Sequence, residues 1–208
     1  MMAWFKDQKN LHKKYAYKLL IAARKILAAL PSMPRIPVPE GQHITVCGDT
    51  HGQFYDLLNI FDIGGLPSEE NPYLFNGDYV DRGSFSAEVA LTLIAWKVVF
   101  PNHMHLHRGN HETINMNKVY GFEGEIKAKY GEKAFTLFTE VFNVLPIASC
   151  IQDKVLVLHG GLFTQPDVTL EDIAAVARDR QPPDEGIMCD ALWADPQVGF
   201  HSLSSKPW

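Results

Sequence analysis

The stretch YLFNGDYVDRG, residues 73–83, decides how this chain is read. Tyr73, Leu74 and Phe75 form a short apolar run of the kind that builds a buried strand, and a polar, glycine-bounded turn follows at once. The same arrangement recurs on either side. Ile44 and Val46 lead into GDTHG (48–52), and Met104–His107 lead into RGNHE (108–112). Helical patterns lie between: Phe54, Leu57, Leu58 and Phe61, closed by Gly64 and Gly65, then a long apolar segment from about Phe85 to Phe100. A hairpin is expected where Ile147–Ile151 and Val155–Leu158 flank the polar turn Gln152–Lys154, its second strand running into HGG (159–161). Strands alternating with helices predict an α/β fold.

The polar residues fall in a telling place. Asp49, His51, Asp78, Asn110, His111 and His159 each lie one to five residues beyond an expected strand. In open α/β sheets the carboxyl ends of the strands form the crevice that binds ligands, so separate segments deliver oxygen and nitrogen donors to one edge. Glycines flank every one of these segments, as sharp turns and close backbone approach require. A mixed carboxylate, imidazole and amide set suits Mn, Fe or Zn rather than thiolate-seeking metals. Two such ions, about 3.5–4 Å apart, can share a carboxylate and a water. Taken singly, each segment has a plainer reading: Asp-x-His as turn chemistry, GNHE as an asparagine turn before a solvated glutamate. Four such segments, each at a strand end, leave that plainer reading little room.

Outward from this centre the chain is simpler. The first 30 residues read as helical, with Leu11, Tyr15, Leu19, Ala22, Ile26 and Leu30 forming an apolar face. Pro31, Pro34, Pro37 and Pro39 then stop the helix and act as a stiff connector. Two helices are expected after RGNHE, one holding Ile126 and Tyr130, the next running from Ala134 to Val144. Past Gln165, Leu170–Ala177 reads as a further helix, Arg178–Glu185 as a charged loop, and the last dozen residues as a loose tail. A hydrophobic content of 46% and a charged content of 21% are ordinary for a soluble globular chain of 208 residues, so one main domain is expected. Nineteen basic against 24 acidic residues give −5, which argues against a nucleic-acid partner or a membrane surface. Cys47, Cys150 and Cys189, an odd number without CxxC spacing, read as reduced thiols of a cytoplasmic or nuclear protein.

GDTHG, GDYVDRG, RGNHE and HGG together resemble the signature blocks of the calcineurin-like metallophosphoesterases. The intact VDRG and NHE blocks resemble, within them, the phosphoprotein phosphatase family of serine/threonine protein phosphatases. WFKDQKNLHKKYAY, ITVCGDTHGQFYDLLNIF, YGFEGEIKAKYG and RQPPDEGIMCDALWADPQ are similar to its type 5 branch, over nearly all of residues 4–197. The resemblance implies a central β-sandwich flanked by helices, and phosphoserine and phosphothreonine residues of phosphoproteins as substrates. It implies that Asp49 and His51 bind a first metal, that Asp78 bridges two divalent ions, and that Asn110 and His159 bind the second. Manganese is the expected metal, with iron or zinc as alternatives. A hydroxide held between the ions would attack phosphorus, so no phosphoenzyme is expected. His111 would protonate the leaving oxygen, Asp81 would orient that imidazole, and Arg82 would clamp the phosphoryl oxygens.

The resemblance stops after Gln197. It implies an organisation of helix and connector (1–40), a catalytic domain incomplete at its C-terminal side (41–197) and a divergent tail (198–208). The second metal would then lack one protein ligand. His201, in a serine-rich tail with no strand before it, is not expected to replace it. Sheet edges and apolar faces are expected to lie uncovered. His107 stands where the family usually has an aliphatic residue, and an inward imidazole there needs a hydrogen-bond partner. The chaperone-binding helical repeats of the type 5 branch are expected to be absent, the chain starting just after them. Two rival functions are weighed beside the phosphatase. One is a truncated, catalytically impaired fragment that binds metal or a partner without turnover, and the other an esterase of nucleotides.

Overall fold

The computed structural model describes residues 1–196. Along the chain come α1 (Met2–Lys6), α2 (Lys13–Ala28), β1 (Arg35–Ile36), β2 (Thr45–Cys47), α3 (Phe54–Gly64), β3 (Tyr73–Phe75), α4 (Ser86–Val99) and β4 (Met104–Leu106). Then follow α5 (Ile114–Tyr120), α6 (Phe122–Lys129), α7 (Glu132–Asn143), β5 (Ala148–Ile151), β6 (Val155–Leu158), α8 (Leu170–Ala174) and α9 (Ile187–Trp193). No helix among the described residues is long and apolar enough to cross a membrane. Residues 197–208, with His201 and the tail, lie outside the described residues.

Among the described residues six strands form two sheets of three. β2, β3 and β4 run parallel with Cys47, Phe75 and Leu106 level at their carboxyl ends, so the loops that follow leave from one edge. β1 pairs parallel with β5, and β5 pairs antiparallel with β6. The hairpin turn places Gln152 and Asp153 at φ 55° and 53°, the left-handed pair whose twist matches the strands it joins.

Side chains alternate across both sheets, and this alternation builds the layers. Tyr73, Phe75, Met104 and Leu106 face the large cluster made by α2, α3, α4, α6 and α7. Leu74 points the other way, meeting Ile36 and Ile151 between the sheets. On the far side Ala148, Cys150, Leu156 and Leu158 lie under Ile173 of α8. The expected β-sandwich flanked by helices is therefore present.

Several local expectations need correction. The N-terminal segment is two helices, and its buried stripe is Ala16, Leu20, Ala23 and Leu27, one residue away from the expected face, with Tyr15 exposed. The proline-rich passage is more than a connector, because it contributes β1 to the second sheet. Three helices follow RGNHE rather than two, and α8 stops at Ala174. Arg178, read as a loop residue, is structural. Its guanidinium donates to the carbonyls of Leu27, Leu30 and Val144, satisfying the ends of α2 and α7. α9 holds the stretch after the charged loop. β2 and β6 are edge strands among the described residues, with Val46 and Val155 exposed.

His107 has the partners its inward position demands. Only 1% exposed, it bonds Asn76 Oδ1 through Nδ1 (2.9 Å) and Ser149 Oγ through Nε2 (2.6 Å). Burial pushes its pKa from 6.5 down to about 3, so it is neutral in the folded chain. As pH falls below 6.5 the unfolded chain takes up a proton that the folded chain refuses, so stability is lost on acidification from 6.5 toward 3. At pH 5 this amounts to about 2 kcal/mol, from ~1.5 pH units at ~1.4 kcal/mol each. In urea unfolding at pH 7 and pH 5, the acid loss of stability is expected to be smaller in His107→Leu than in the parent chain by that amount. An equal acid loss in both proteins would refute the assignment.

Candidate active site

The site is built where the loops after β2, β3, β4 and β6 meet. Loop 48–52 is tied to the loop after β3 by main-chain bonds: Thr50 and His51 amides donate to the Asp78 carbonyl, and the Gly52 amide to that of Tyr79. The third loop packs closer still. A Cβ on Gly109 would run into the carboxylate and amide of Asp78, so only glycine lets RGNHE approach this carboxylate. His51, Asp78, Asp81 and Arg82 all sit at positive φ (35°, 52°, 70° and 65°). Left-handed backbone at non-glycine residues costs on the order of 1–3 kcal/mol each, so the surrounding fold holds this constellation in a strained shape.

Asp78 lies at the centre. Its Oδ2 is 3.4 Å from His51 Nε2 and 3.4 Å from His159 Nε2, while its Oδ1 accepts the His111 amide at 2.9 Å. Asp49, half exposed, reaches to 3.9 Å from each of the same two imidazoles. Asp49, Asp78 and His159 thus present donor atoms within 4.8 Å of one another, and so do His51, Asp78 and His111. Both flanking imidazoles are oriented from behind, His51 Nδ1 donating to the Val80 carbonyl (2.9 Å) and His159 Nδ1 to that of Asn76 (2.8 Å). Each therefore turns Nε2 toward the carboxylate.

The donor set asks for positive charge. Burial disfavours the ionised form of Asp78, yet His159 and the His111 amide outweigh it and hold the pKa below the usual carboxylate range. Burial likewise works against charge on His159, but its bond to Asp78 wins and lifts it to about 9. Asn110, on the same loop as His111, keeps its buried Oδ1 without any hydrogen-bond partner. A buried acceptor left open in the loop that carries His111 fits a divalent cation. Asp49, His51, Asp78, Asn110 and His159 are the residues that could hold one.

His111, Asp81 and Arg82 form a second group beside the first. His111 and Asp81 are fully buried, and His111 Nδ1 donates to Asp81 Oδ2 at 2.9 Å. Asp81 also accepts from Asn117 Nδ2 (3.0 Å) and the Phe122 amide (2.9 Å), and Asn117 donates to the His111 carbonyl (2.7 Å). Arg82 is exposed, its Nη2 donating to His111 Nε2 at 3.2 Å with Tyr120 beneath the guanidinium.

Two residues escaped the sequence reading. Glu112 has no role in the sequence reading, being solvated only in the plainer reading of GNHE taken singly. Yet it is fully buried and accepts the amides of Asp78, Tyr79 and Gly109 at 2.8, 2.9 and 2.8 Å. It clamps the second and third loops together. Burial, and then the charge of Asp78, raise its pKa to about 7. Asn117 is the other, placed by α5, a helix without apolar periodicity and so without a signal to find.

Comparison with known proteins agrees with this geometry. A family model described as Calcineurin-like phosphoesterase matches residues 42–208. A second, described as the PPP5 TPR repeat region, matches residues 1–35, the segment carrying α1 and α2. Serine/threonine-protein phosphatase 5 of Homo sapiens is 60% identical over 197 residues, covering 95% of this chain and 40% of its own length. Its counterpart in Arabidopsis thaliana is 61% identical, again over 95% of this chain but 37% of its own. The chain therefore spans about two fifths of the length of the curated relatives it matches. A Saccharomyces cerevisiae serine/threonine phosphatase, described as similar to human phosphatase PP5, superposes with a TM-score of 0.91 at 47% identity. That match covers 93% of this chain and 62% of that one.

Proposed function

We propose, from the premise that this chain belongs to the calcineurin-like phosphoesterase family, that it hydrolyses phosphoserine and phosphothreonine esters in proteins with the help of two divalent cations. The observation that carries this reading is the position of Asp78 Oδ2, 3.4 Å from the Nε2 atoms of His51 and His159. One carboxylate faced by imidazoles on two sides is the donor pattern of a pair of ions sharing a ligand. The choice of phosphoprotein substrates is supported by the names of the relatives at 60% identity.

On this reading Asp49, His51 and Asp78 would hold one ion, and Asp78, Asn110 and His159 the other, manganese being the first choice. Cations there supply charge neutralisation for the phosphoryl group and a water of lowered pKa. The chain's own residues do the rest. His111 hands a proton from Nε2 to the departing serine or threonine oxygen, and buried Asp81 stabilises the imidazolium and fixes its ring. Arg82 has a double part. While it donates to His111 Nε2 that nitrogen is an unprotonated acceptor. The guanidinium must therefore swing to the phosphoryl oxygens, and Nε2 must take up a proton from solvent, before the imidazolium can serve as the acid. The exposure of Arg82 leaves it room to swing.

The test is phosphate release from a phosphothreonine peptide by the purified chain, with Mn²⁺ bound and counted. Turnover that needs about two Mn²⁺ per chain, and that a dinucleotide competes for poorly, is the expected result. A folded chain that binds Mn²⁺ but releases no phosphate would overturn it in favour of binding without turnover.

A further inference from the structure

Asp78 and His159 come from different sheets. Asp78 follows β3 and His159 follows β6, and no ladder hydrogen bond joins these strands. What sets the distance between carboxylate and imidazole is therefore a matter of side chains at the seam. Asn76 bridges it. Its Nδ2 donates to the Leu158 carbonyl at 2.9 Å, and its own main-chain carbonyl accepts from His159 Nδ1 at 2.8 Å. One residue at the end of β3 thus grips two consecutive residues at the end of β6.

The direction of the Asn76 amide is decided by His107. With Nδ2 committed to Leu158, Oδ1 must accept, and it accepts from His107 Nδ1 at 2.9 Å. His107 Nε2 then has to accept, and the Ser149 hydroxyl on β5 supplies the proton at 2.6 Å. The donors run one way, from Ser149 to His107 to Asn76 to Leu158. Turning the amide over would set NH₂ against the His107 N–H and oxygen against the Leu158 carbonyl. The His107–Ser149 end of the network is buried and the Asn76–Leu158 end half-buried. A buried polar group left unpartnered costs about 1–3 kcal/mol, so the arrangement with Nδ2 on Leu158 is the favoured one.

We infer that His107 is a positioning residue, acting through Asn76 to hold His159 with Nε2 toward Asp78, where a second divalent cation would bind. This rests on the two-cation reading above, and the network touches no ligand atom directly. Groups behind metal ligands tune affinity by roughly 10- to 100-fold when removed.

The test is Mn²⁺ titration of the full chain, followed calorimetrically and without substrate, with melting temperatures recorded in parallel. His107→Leu is expected to weaken the second Mn²⁺ equivalent about tenfold while the first changes less than about twofold. His107→Asn, whose Nδ2 can stand in for Nδ1, is expected to recover most of that affinity. His107→Gln, which offers its donor at the Nε2 position, is not. A role in packing alone would lower the melting temperature of all three variants and leave the second affinity untouched, and that result would overturn the inference. If His107→Leu fails to fold, the Asn and Gln variants still decide, because equal affinities in those two exclude the role. Wild-type chain that takes up one equivalent only would overturn the two-cation reading itself, and this role with it.

Discussion

Exchanging Asp78 for asparagine is expected to lower Mn²⁺ uptake from about two ions per chain to one or none and to end phosphopeptide turnover. Its Oδ2 is the atom that both Nε2 nitrogens face, and its Oδ1 receives the His111 amide, so this carboxylate meets three other loops and is the one that would be shared by the proposed cations. An asparagine of the same shape keeps one acceptor and loses the negative charge. Loss of the metal-borne charge stabilisation is worth several kcal/mol, so a fall of at least about 10³-fold in kcat/KM is expected. The fold should survive, because no apolar contact is removed. Metal counted by atomic absorption, together with circular dichroism, checks both halves. A folded Asp78→Asn chain that still carries two ions would show that the bridging assignment is wrong.

His111→Asn is the second large effect, and it should look different. Asparagine can still donate to Asp81 but cannot carry a transferable proton, so metal content should stay near two while kcat falls. General acid catalysis contributes about 10²–10⁴, which sets the expected loss on a phosphoserine peptide. The loss should shrink with the basicity of the leaving group, since a nitrophenolate departs without a proton and a serine alkoxide does not. A variant slowed equally on the peptide and on p-nitrophenyl phosphate would mean that His111 shapes the site rather than supplying the proton. Burial of the Asp81–His111 pair makes this comparison sharp, because water has no easy access to replace the imidazole.

Much of this was legible in the residues alone. Short apolar runs followed by polar, glycine-bounded turns marked β2, β3, β4 and β6, and placed every proposed ligand at a strand's carboxyl end. The reason is local: apolar runs and turn chemistry are properties of a few neighbouring residues. Elsewhere two local readings were equal and packing chose between them. On α2, Leu19 and Leu20, Ala22 and Ala23, Ile26 and Leu27 are adjacent pairs, so two apolar stripes one residue apart fit the helix equally well. Contact with α4 and α7 selected the second of them. β1 had no signal, being two residues among prolines that become a strand only because β5 lies beside them. For His107 the residues set only a demand for some partner, and for Glu112 not even that; burial gave each its partners.

The residues by themselves determined the α/β order, the identity of the donors and the edge to which they are delivered. Only the tertiary structure decided that the strands divide into two sheets, that Asp78 and His159 meet across the seam, and that Glu112, Asn117 and the Ser149–His107–Asn76 chain brace them. Such contacts join residues tens of positions apart, and they are enforced because polar groups shut away from water are costly unless they find one another. No short stretch of sequence carries that information.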